Sequence, residues 1–233
     1  PDTCSLSVTV EDNRVTAVHG SKANPLTRGA ICAKVANYYP DFVHGTNRLR
    51  YPMKRVGAKG EGKFERVSWD EALGIIHDRV GEVISRHGRQ AVLPLNYAGP
   101  HGMLAGDSMS LRFFHKLGAS LLSRRPLCGG VRGEAYAGTF GATPGTPLQQ
   151  VDLAKLIIVW GNNATACNLH LMRHVNVAKR NGAKLVVVDP KRVKVAEQAH
   201  LHLAILPGTD VVLAWALAVE LEKTGGLDRA FIE

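Results

Sequence analysis

The spacing of apolar and polar residues changes along the chain, and each spacing predicts a different kind of element. Residues 5–19 alternate with a period of two on either side of Asp12 and Asn13, which is typical of a two-stranded hairpin closed by a tight turn. Residues 22–62 keep no period and are interrupted by repeated prolines and glycines. We therefore predict a small β unit followed by a stretch of little regular structure, wound over a surface or around a bound group.

The clearest helical spacing follows Ser68. Ser68 can cap a helix together with Glu71 three residues on, and apolar residues then recur at helical spacing from Leu73 to Ile84. Between this helix and residue 153 the pattern is weaker. There it predicts a strand at residues 91–97, a helix at 107–117 and a looser helix at 129–138.

From residue 153 onward, apolar strands alternate with helices. The predicted strands are residues 153–160, 184–188 and 201–206, and the predicted helices are 168–181 and 210–223. This order predicts a mainly parallel, Rossmann-like sheet that is doubly wound, with helices on both faces. We therefore expect an α/β protein in which a β-rich N-terminal region, residues 1–62, precedes an α/β region, residues 63–233.

Composition narrows the class of protein. The 233 residues are 45% hydrophobic and 21% charged, which predicts a folded core and excludes disorder as the main state. The longest apolar stretch, residues 201–219, is broken by Pro207, Gly208 and Asp210, so no membrane segment is predicted. The net charge of +9 is spread along the chain without interleaved aromatic residues, which argues against nucleic acid. The charge allows an anionic cofactor or an acidic protein as partner, and most of the basic residues are interpreted as solvated surface.

Polar loops follow each of the three predicted parallel strands, where open sheets bind ligands. Residues 161–165 offer a glycine and backbone amides, and Asp189 stands where nucleotide-binding folds hold a ribose or a base edge. Asp210, by its local sequence, favours capping of the next helix. Together the loops predict a nucleotide site, with ordinary polar loops as the alternative. His170 and His174 share one helix face, for which a cofactor contact or a surface pair is preferred to a zinc site.

The four cysteines are too few and too widely spaced for a disulfide scaffold. Cys4 and Cys32 border turns in the irregular segment and could supply half of the four thiolates of an iron–sulfur cluster, with two buried thiols as the alternative. Cys128 precedes a predicted helix within a glycine-containing loop near several arginines, a setting that favours a thiolate acting as metal ligand or nucleophile. Cys167 is interpreted as structural.

In order and spacing, these residues resemble the molybdopterin oxidoreductase superfamily, which includes formate dehydrogenases, nitrate reductases and dimethyl sulfoxide reductases. The resemblance covers essentially the whole chain. It implies a [4Fe-4S] cluster in residues 1–62, held by Cys4 and Cys32 and by two cysteines expected before Pro1. It also implies a bis-molybdopterin guanine dinucleotide, carrying molybdenum or tungsten, bound by residues 63–233. The residues implied to contact this cofactor at the strand ends are Trp160, Gly161, Asn162, Asn163, Thr165, Asn168, His170, Asp189, Pro190, Lys191, Pro207, Gly208 and Asp210.

The same resemblance implies roles near the reacting metal. Lys34 would lie between the cluster and the pterin, and Cys128 would bind molybdenum or tungsten. Gly129 stands where formate dehydrogenases place a histidine, which argues against formate as substrate. The implied function is two-electron oxidoreductase chemistry on a small molecule, with an electron-transfer partner protein. The alternative is a non-catalytic relative that keeps the fold as a scaffold or as a subunit of an electron-transfer complex.

The ends of the chain also carry an expectation. The sequence starts on Pro1 without an initiator Met and stops just after a predicted helix start, so we expect a fragment of a longer protein, inactive on its own. The compartment stays open, with the cytoplasm favoured and the periplasm as the alternative.

Overall fold

The computed structural model describes residues 4–96, 108–123 and 129–232. The chain divides into two units, one made of residues up to Thr46 together with those from Thr146 onward, and the other spanning Asn47–Gly145. The first unit holds an N-terminal β hairpin and a parallel sheet with helices, so the predicted α/β class is confirmed. Among the described residues, no helix is both long and apolar enough to cross a bilayer.

The N-terminal strands form the predicted hairpin. β1 (Leu6–Glu11) pairs with β2 (Arg14–Gly20) in antiparallel orientation. Asp12 and Asn13 join them with φ angles of 47° and 59°, the left-handed conformation that a two-residue type I′ turn requires. Asp and Asn adopt this conformation at lower cost than most side chains. The alternation therefore predicts both the strands and the turn correctly.

The segment after the hairpin is more regular than its sequence suggests. It contains α1 (Ala33–His44), and a short hairpin of β3 (Met53–Arg55) and β4 (Phe64–Arg66). The prediction of little regular structure over residues 22–62 is therefore wrong for α1 and β3. Pro40 lies inside α1 and costs the helix a backbone hydrogen bond.

Tertiary contacts compensate for this cost. α1 packs against β2, and the Val15 amide donates to Nε2 of His44 in the last turn of α1 at 2.8 Å. Packing of this kind routinely overrides local propensity, and no local pattern reveals it.

The second unit contains the most secure predicted helix, α2 (Trp69–His87). Ser68 caps it, since its Oγ accepts the Glu71 amide at 3.0 Å, which confirms the predicted start. Two further helices follow in this unit, α3 (Ser108–Leu117) and α4 (Gly129–Phe140), where helices were predicted.

The strand predicted at residues 91–97 is wrong over its described part. Residues Arg89–Ala91 form a 3₁₀ turn, and residues 92–96 have no regular structure. Pro94 has no amide to give to a ladder. The Val92 carbonyl instead accepts the amide of Ser120 at 3.0 Å.

The parallel sheet of the first unit is built from three strands in sequence order. β5 (Leu156–Trp160) pairs with β6 (Lys184–Val188), which pairs with β7 (Leu201–Leu203). The predicted strand at 184–188 is confirmed, whereas residues 148–153 form a 3₁₀ helix and delay the start of β5. The helices of this part of the chain are α5 (Ala164–Cys167), α6 (Leu169–Arg180), α7 (Lys194–Glu197), α8 (Asp210–Lys223) and α9 (Arg229–Ile232).

The core of this unit centres on β6. Leu185 and Val187 have no exposed surface, and they pack with Val159 of β5, Val175 of α6 and Val195 of α7. Because β6 is covered on both faces, its sequence is a continuous apolar run. The sheet therefore holds its three carboxyl-terminal loops on a rigid base.

Helix α8 leaves large apolar side chains uncovered. Val212, Trp215 and Leu221 are 64%, 70% and 50% exposed. A helix that is apolar on all sides is typical of a protein interior. The sequence of α8 is thus typical of a buried helix, although the described residues leave it uncovered.

Candidate functional site

Three loops leave the parallel sheet at one edge. Trp160 is paired with Val188, and Val188 with Leu203, so the last residues of the three strands lie side by side. The loops that follow contain most of the residues predicted to bind a nucleotide. This edge is where open parallel sheets bind their ligands.

The first loop is shaped by Gly161 and Asn163. Gly161 has a φ of 61°, which favours glycine, and its amide donates to the Val188 carbonyl at 2.8 Å. The chain therefore turns away as soon as β5 ends. Asn163 Oδ1 accepts the hydroxyl of Thr165 at 3.1 Å, so these two side chains hold the loop together. Asn162 stands between them and the strand and is half-buried.

The second loop turns on Asp189. Its Oδ1 accepts the Lys191 amide at 2.8 Å, and its carbonyl accepts Nε2 of His202 at 2.8 Å. Pro190 and Lys191 are exposed at the tip of this turn. The loop therefore presents an ammonium group close in sequence to a carboxylate, a combination suited to a phosphate and a sugar hydroxyl.

The third loop is tied to the first. Pro207 and Gly208 lead into α8, and Trp160 Nε1 at the end of β5 donates to Oδ1 of Asp210 at 2.6 Å. The expectation that Asp210 caps α8 is wrong, because Thr209 is the N-cap and the Asp210 carboxylate binds the indole instead. This bond joins residues 50 positions apart, and only the register of the sheet brings them together.

Cys4 and Cys32 lie close in sequence to a crossing of two chain segments, where the backbones of Gly20 and Gly29 touch. Cys4 lies two residues before Leu6, which is paired with Gly20 across the hairpin. A Cβ on Gly20 would overlap the carbonyl group of Gly29, so the two backbones touch. Cys32, the N-cap of α1, follows Gly29 by three residues. Both thiols are thus held within a few residues of one backbone crossing, with Cys4 exposed and Cys32 half-buried.

A cleft of about 700 Å³ opens at this crossing. Lys22, Gly29 and Ile31 are among the residues that line it. Lys34 lies in the first turn of α1 and is exposed. The ammonium group of Lys34 is therefore accessible on the helix that Cys32 begins.

Both histidines of the predicted pair are buried, which corrects the interpretation of a surface pair. His170 is 2% exposed and His174 is 5% exposed. His174 Nδ1 lies 2.8 Å from Asp152 Oδ1, and His170 Nε2 lies 3.3 Å from Cys4 Sγ. On α6, His174 therefore faces the 3₁₀ helix before β5, and His170 faces Cys4.

A second contact ties α6 to the N-terminal segment. Arg173 donates to the Thr27 carbonyl at 3.1 Å, while the Thr27 side chain is fully buried. Asn168 precedes α6 as its N-cap residue without a side-chain cap bond. Sequence patterns do not identify Thr27, Asp152 or Arg173, because each acts through a partner distant in sequence.

The prediction for Cys128 lies outside the described residues. Within the described parts of the chain, no group of three or more His, Cys, Asp or Glu side chains is arranged to hold a metal ion. The described residues therefore provide two thiols near one crossing, but not a complete metal site.

Comparisons with known proteins find similar sequences along the whole chain. Residues 48–225 match the family described as molybdopterin oxidoreductase, and residues 1–43 match the molybdopterin oxidoreductase Fe4S4 domain. A probable oxidoreductase of Bacillus subtilis, YoaE, is 35% identical over 100% of this chain and 34% of its own length. The dimethyl sulfoxide reductase DmsA of Haemophilus influenzae is 31% identical over 99% of the chain and 31% of its own length.

A solved structure has the same fold. The acetylene hydratase of Pelobacter acetylenicus superposes with a TM-score of 0.76 at 25% identity, over 98% of this chain and 31% of that protein. The chain thus spans about a third of the length of the relatives that it matches.

Proposed function

The chain belongs to the molybdopterin oxidoreductase family, and on this premise we propose that it forms part of a molybdenum- or tungsten-dependent oxidoreductase acting on a small molecule. The proposed cofactors are a bis-molybdopterin guanine dinucleotide, bound within residues 63–233, and a [4Fe-4S] cluster, bound within residues 1–62. The observation that carries the proposal is the alignment of three polar loops at one sheet edge, joined by the bond between Trp160 and Asp210.

The strand-end loops fit a guanine dinucleotide. Asn162 and Asp189 are half-buried at the ends of β5 and β6, and amide and carboxylate groups recognise base edges and ribose hydroxyls. Lys191 is exposed and can offset phosphate charge. When bound, the metal held by the pterin would supply the two-electron chemistry. The loop residues bind and orient, and those proposed to do so are Trp160, Gly161, Asn162, Asn163, Thr165, Asn168, Asp189, Pro190, Lys191, Pro207, Gly208 and Asp210. His170 is buried within α6 and faces Cys4, so its proposed role lies with the cluster.

The N-terminal crossing fits a cluster held by cysteines. Cys4 and Cys32 lie close in sequence to the contact of Gly20 with Gly29 and are not fully buried, so both thiols are accessible as ligands. A [4Fe-4S] cluster takes four thiolates, so the proposal requires two ligands from outside the described residues. Lys34, exposed in the first turn of α1, is proposed to lie between the cluster and the pterin. Cys128 is proposed as the protein ligand of the metal.

The metal content of the longer protein tests this function. We would express the gene extended at both ends in a host able to make the cofactor, purify the protein anaerobically, and measure iron, molybdenum and tungsten per chain. The proposal expects about four iron atoms per cluster and one molybdenum or tungsten. Protein free of both would refute it and favour the scaffold alternative, and the search would turn to its binding partner.

Two serine variants sharpen this test. Cys4→Ser should lose most of the iron, because it removes a proposed ligand. Cys167→Ser is the matched control, since Cys167 is also exposed but ends α5 and has no proposed ligand role. Equal iron content in the two variants would remove Cys4 from the cluster.

A further inference from the structure

The contact between His170 and Cys4 joins two parts of the chain that are 166 residues apart. His170 Nε2 lies 3.3 Å from Cys4 Sγ, within hydrogen-bonding distance for sulfur. The histidine is 2% exposed, whereas the cysteine is exposed. A buried side chain therefore aims a polar atom at a thiol that remains accessible to a ligand.

The surroundings of His170 determine which nitrogen carries its proton. Among the described residues, Nδ1 of His170 is buried without a hydrogen-bond partner. A buried N–H without an acceptor is costlier than a buried lone pair without a donor. A ring with a single proton therefore carries it on Nε2, the nitrogen that faces Cys4.

The position of His170 is held by its helix. Arg173, three residues on, donates to the Thr27 carbonyl at 3.1 Å, and Met172 and Val175 belong to the sheet core. α6 is thus anchored on one side to the sheet and on the other to the segment between β2 and Cys32. These contacts hold the backbone at His170 in place, and the ring itself is buried.

We propose that His170 Nε2 donates a hydrogen bond to the Cys4 thiolate and thereby raises the reduction potential of the cluster that Cys4 is proposed to bind. This inference rests on the proposed function. A reduced cluster carries one more negative charge than an oxidised one, and hydrogen bonds to its sulfurs stabilise the more negative state. His170 is a positioning residue in this sense, since it acts through Cys4.

The test is an anaerobic redox titration of the cluster, followed by electron paramagnetic resonance, in the protein extended at both ends. Three variants are compared with the parent. His170→Leu removes the donor, and His170→Gln restores an N–H at a similar reach. His174→Leu is the matched control, because it removes an equally buried histidine one turn away that does not contact Cys4.

We expect the midpoint potential to fall in His170→Leu, to return toward the parent value in His170→Gln, and to stay unchanged in His174→Leu. An unchanged potential in His170→Leu, or an equal fall in the control, would overturn the inference while leaving the proposed function intact. A parent protein without any cluster signal would overturn the proposed function and this inference with it.

A second measurement guards against a variant that fails to fold. Electron–nuclear double resonance of the reduced parent, labelled with ¹⁵N-histidine, should show a histidine nitrogen and an exchangeable proton coupled to the cluster. The absence of both couplings would overturn the inference without any substitution.

Discussion

The bond between Trp160 and Asp210 can be tested by removing each partner in turn. Trp160→Phe keeps an aromatic ring at the end of β5 but removes the indole N–H. Asp210→Ala removes the acceptor at the first residue of α8. Both changes should loosen the start of α8, because this bond links it to the end of the first strand.

The expected magnitude follows from the geometry. A hydrogen bond to a charged group contributes about 1.5–3 kcal/mol, and this one is short at 2.6 Å. It is also solvent-exposed, so we expect only about 1 kcal/mol of coupling. Asp210→Ala additionally removes a charge from the N-terminus of a helix, worth about 0.3–1 kcal/mol. That loss occurs with either residue at position 160, so a double-mutant cycle cancels it.

Hydrogen exchange followed by mass spectrometry is a suitable assay, because it reports local opening in a protein of several domains. Peptides that cover residues 206–214 should exchange faster in each single variant. Multiplying the accelerations of the two single variants gives the exchange rate expected if the side chains do not interact. The double variant should exchange about fivefold more slowly than that, which corresponds to about 1 kcal/mol. An exchange rate in the double variant equal to the product of the single effects would show that the two side chains do not interact. That result would refute a stabilising hydrogen bond between Trp160 and Asp210.

Two further substitutions test the local arguments. Gly20→Ala should disrupt the contact with the Gly29 backbone and lower the iron content of the extended protein. Gly74→Ala, in α2 with open space around it, should leave the iron content unchanged and stabilise its helix by about 0.5–1 kcal/mol. Equal iron content in the two variants would contradict a role for the contact between Gly20 and Gly29. Ser68→Ala should destabilise the start of α2 by about 0.5–2 kcal/mol and speed amide exchange at Glu71, and unaltered exchange there would argue that the cap contributes nothing.

Features that depend on neighbouring residues could be predicted from the sequence. The alternation of residues 5–19 indicates the hairpin, and Asp12 and Asn13 suit its turn. The apolar run of β6 reflects burial on both faces, and the capping pattern at Ser68 marks the start of α2. In each case the sequence pattern lies within the element that it predicts or directly beside it.

Features that depend on distant partners could not be predicted. α1 persists through Pro40 because it packs against β2, and residues 92–96 lack a strand because Pro94 interrupts the ladder. The Asp210 carboxylate binds an indole 50 positions away, where local chemistry suggested a helix cap. His170 is buried against Cys4, where a periodic pattern suggested a cofactor contact or a surface pair. The assignment of individual residues to the cofactors stays a prediction.

The distance along the chain between Cys4 and His170 has a consequence for synthesis. A ribosome adds about 5–20 residues per second, so the 166 positions between them take about 8–33 s to make. During that interval α6 does not yet exist, so the hydrogen bond from His170 is among the last features of the Cys4 environment to form. Because Cys4 is still exposed once α6 has packed, its thiol stays open to a cluster-donating protein in the folded chain.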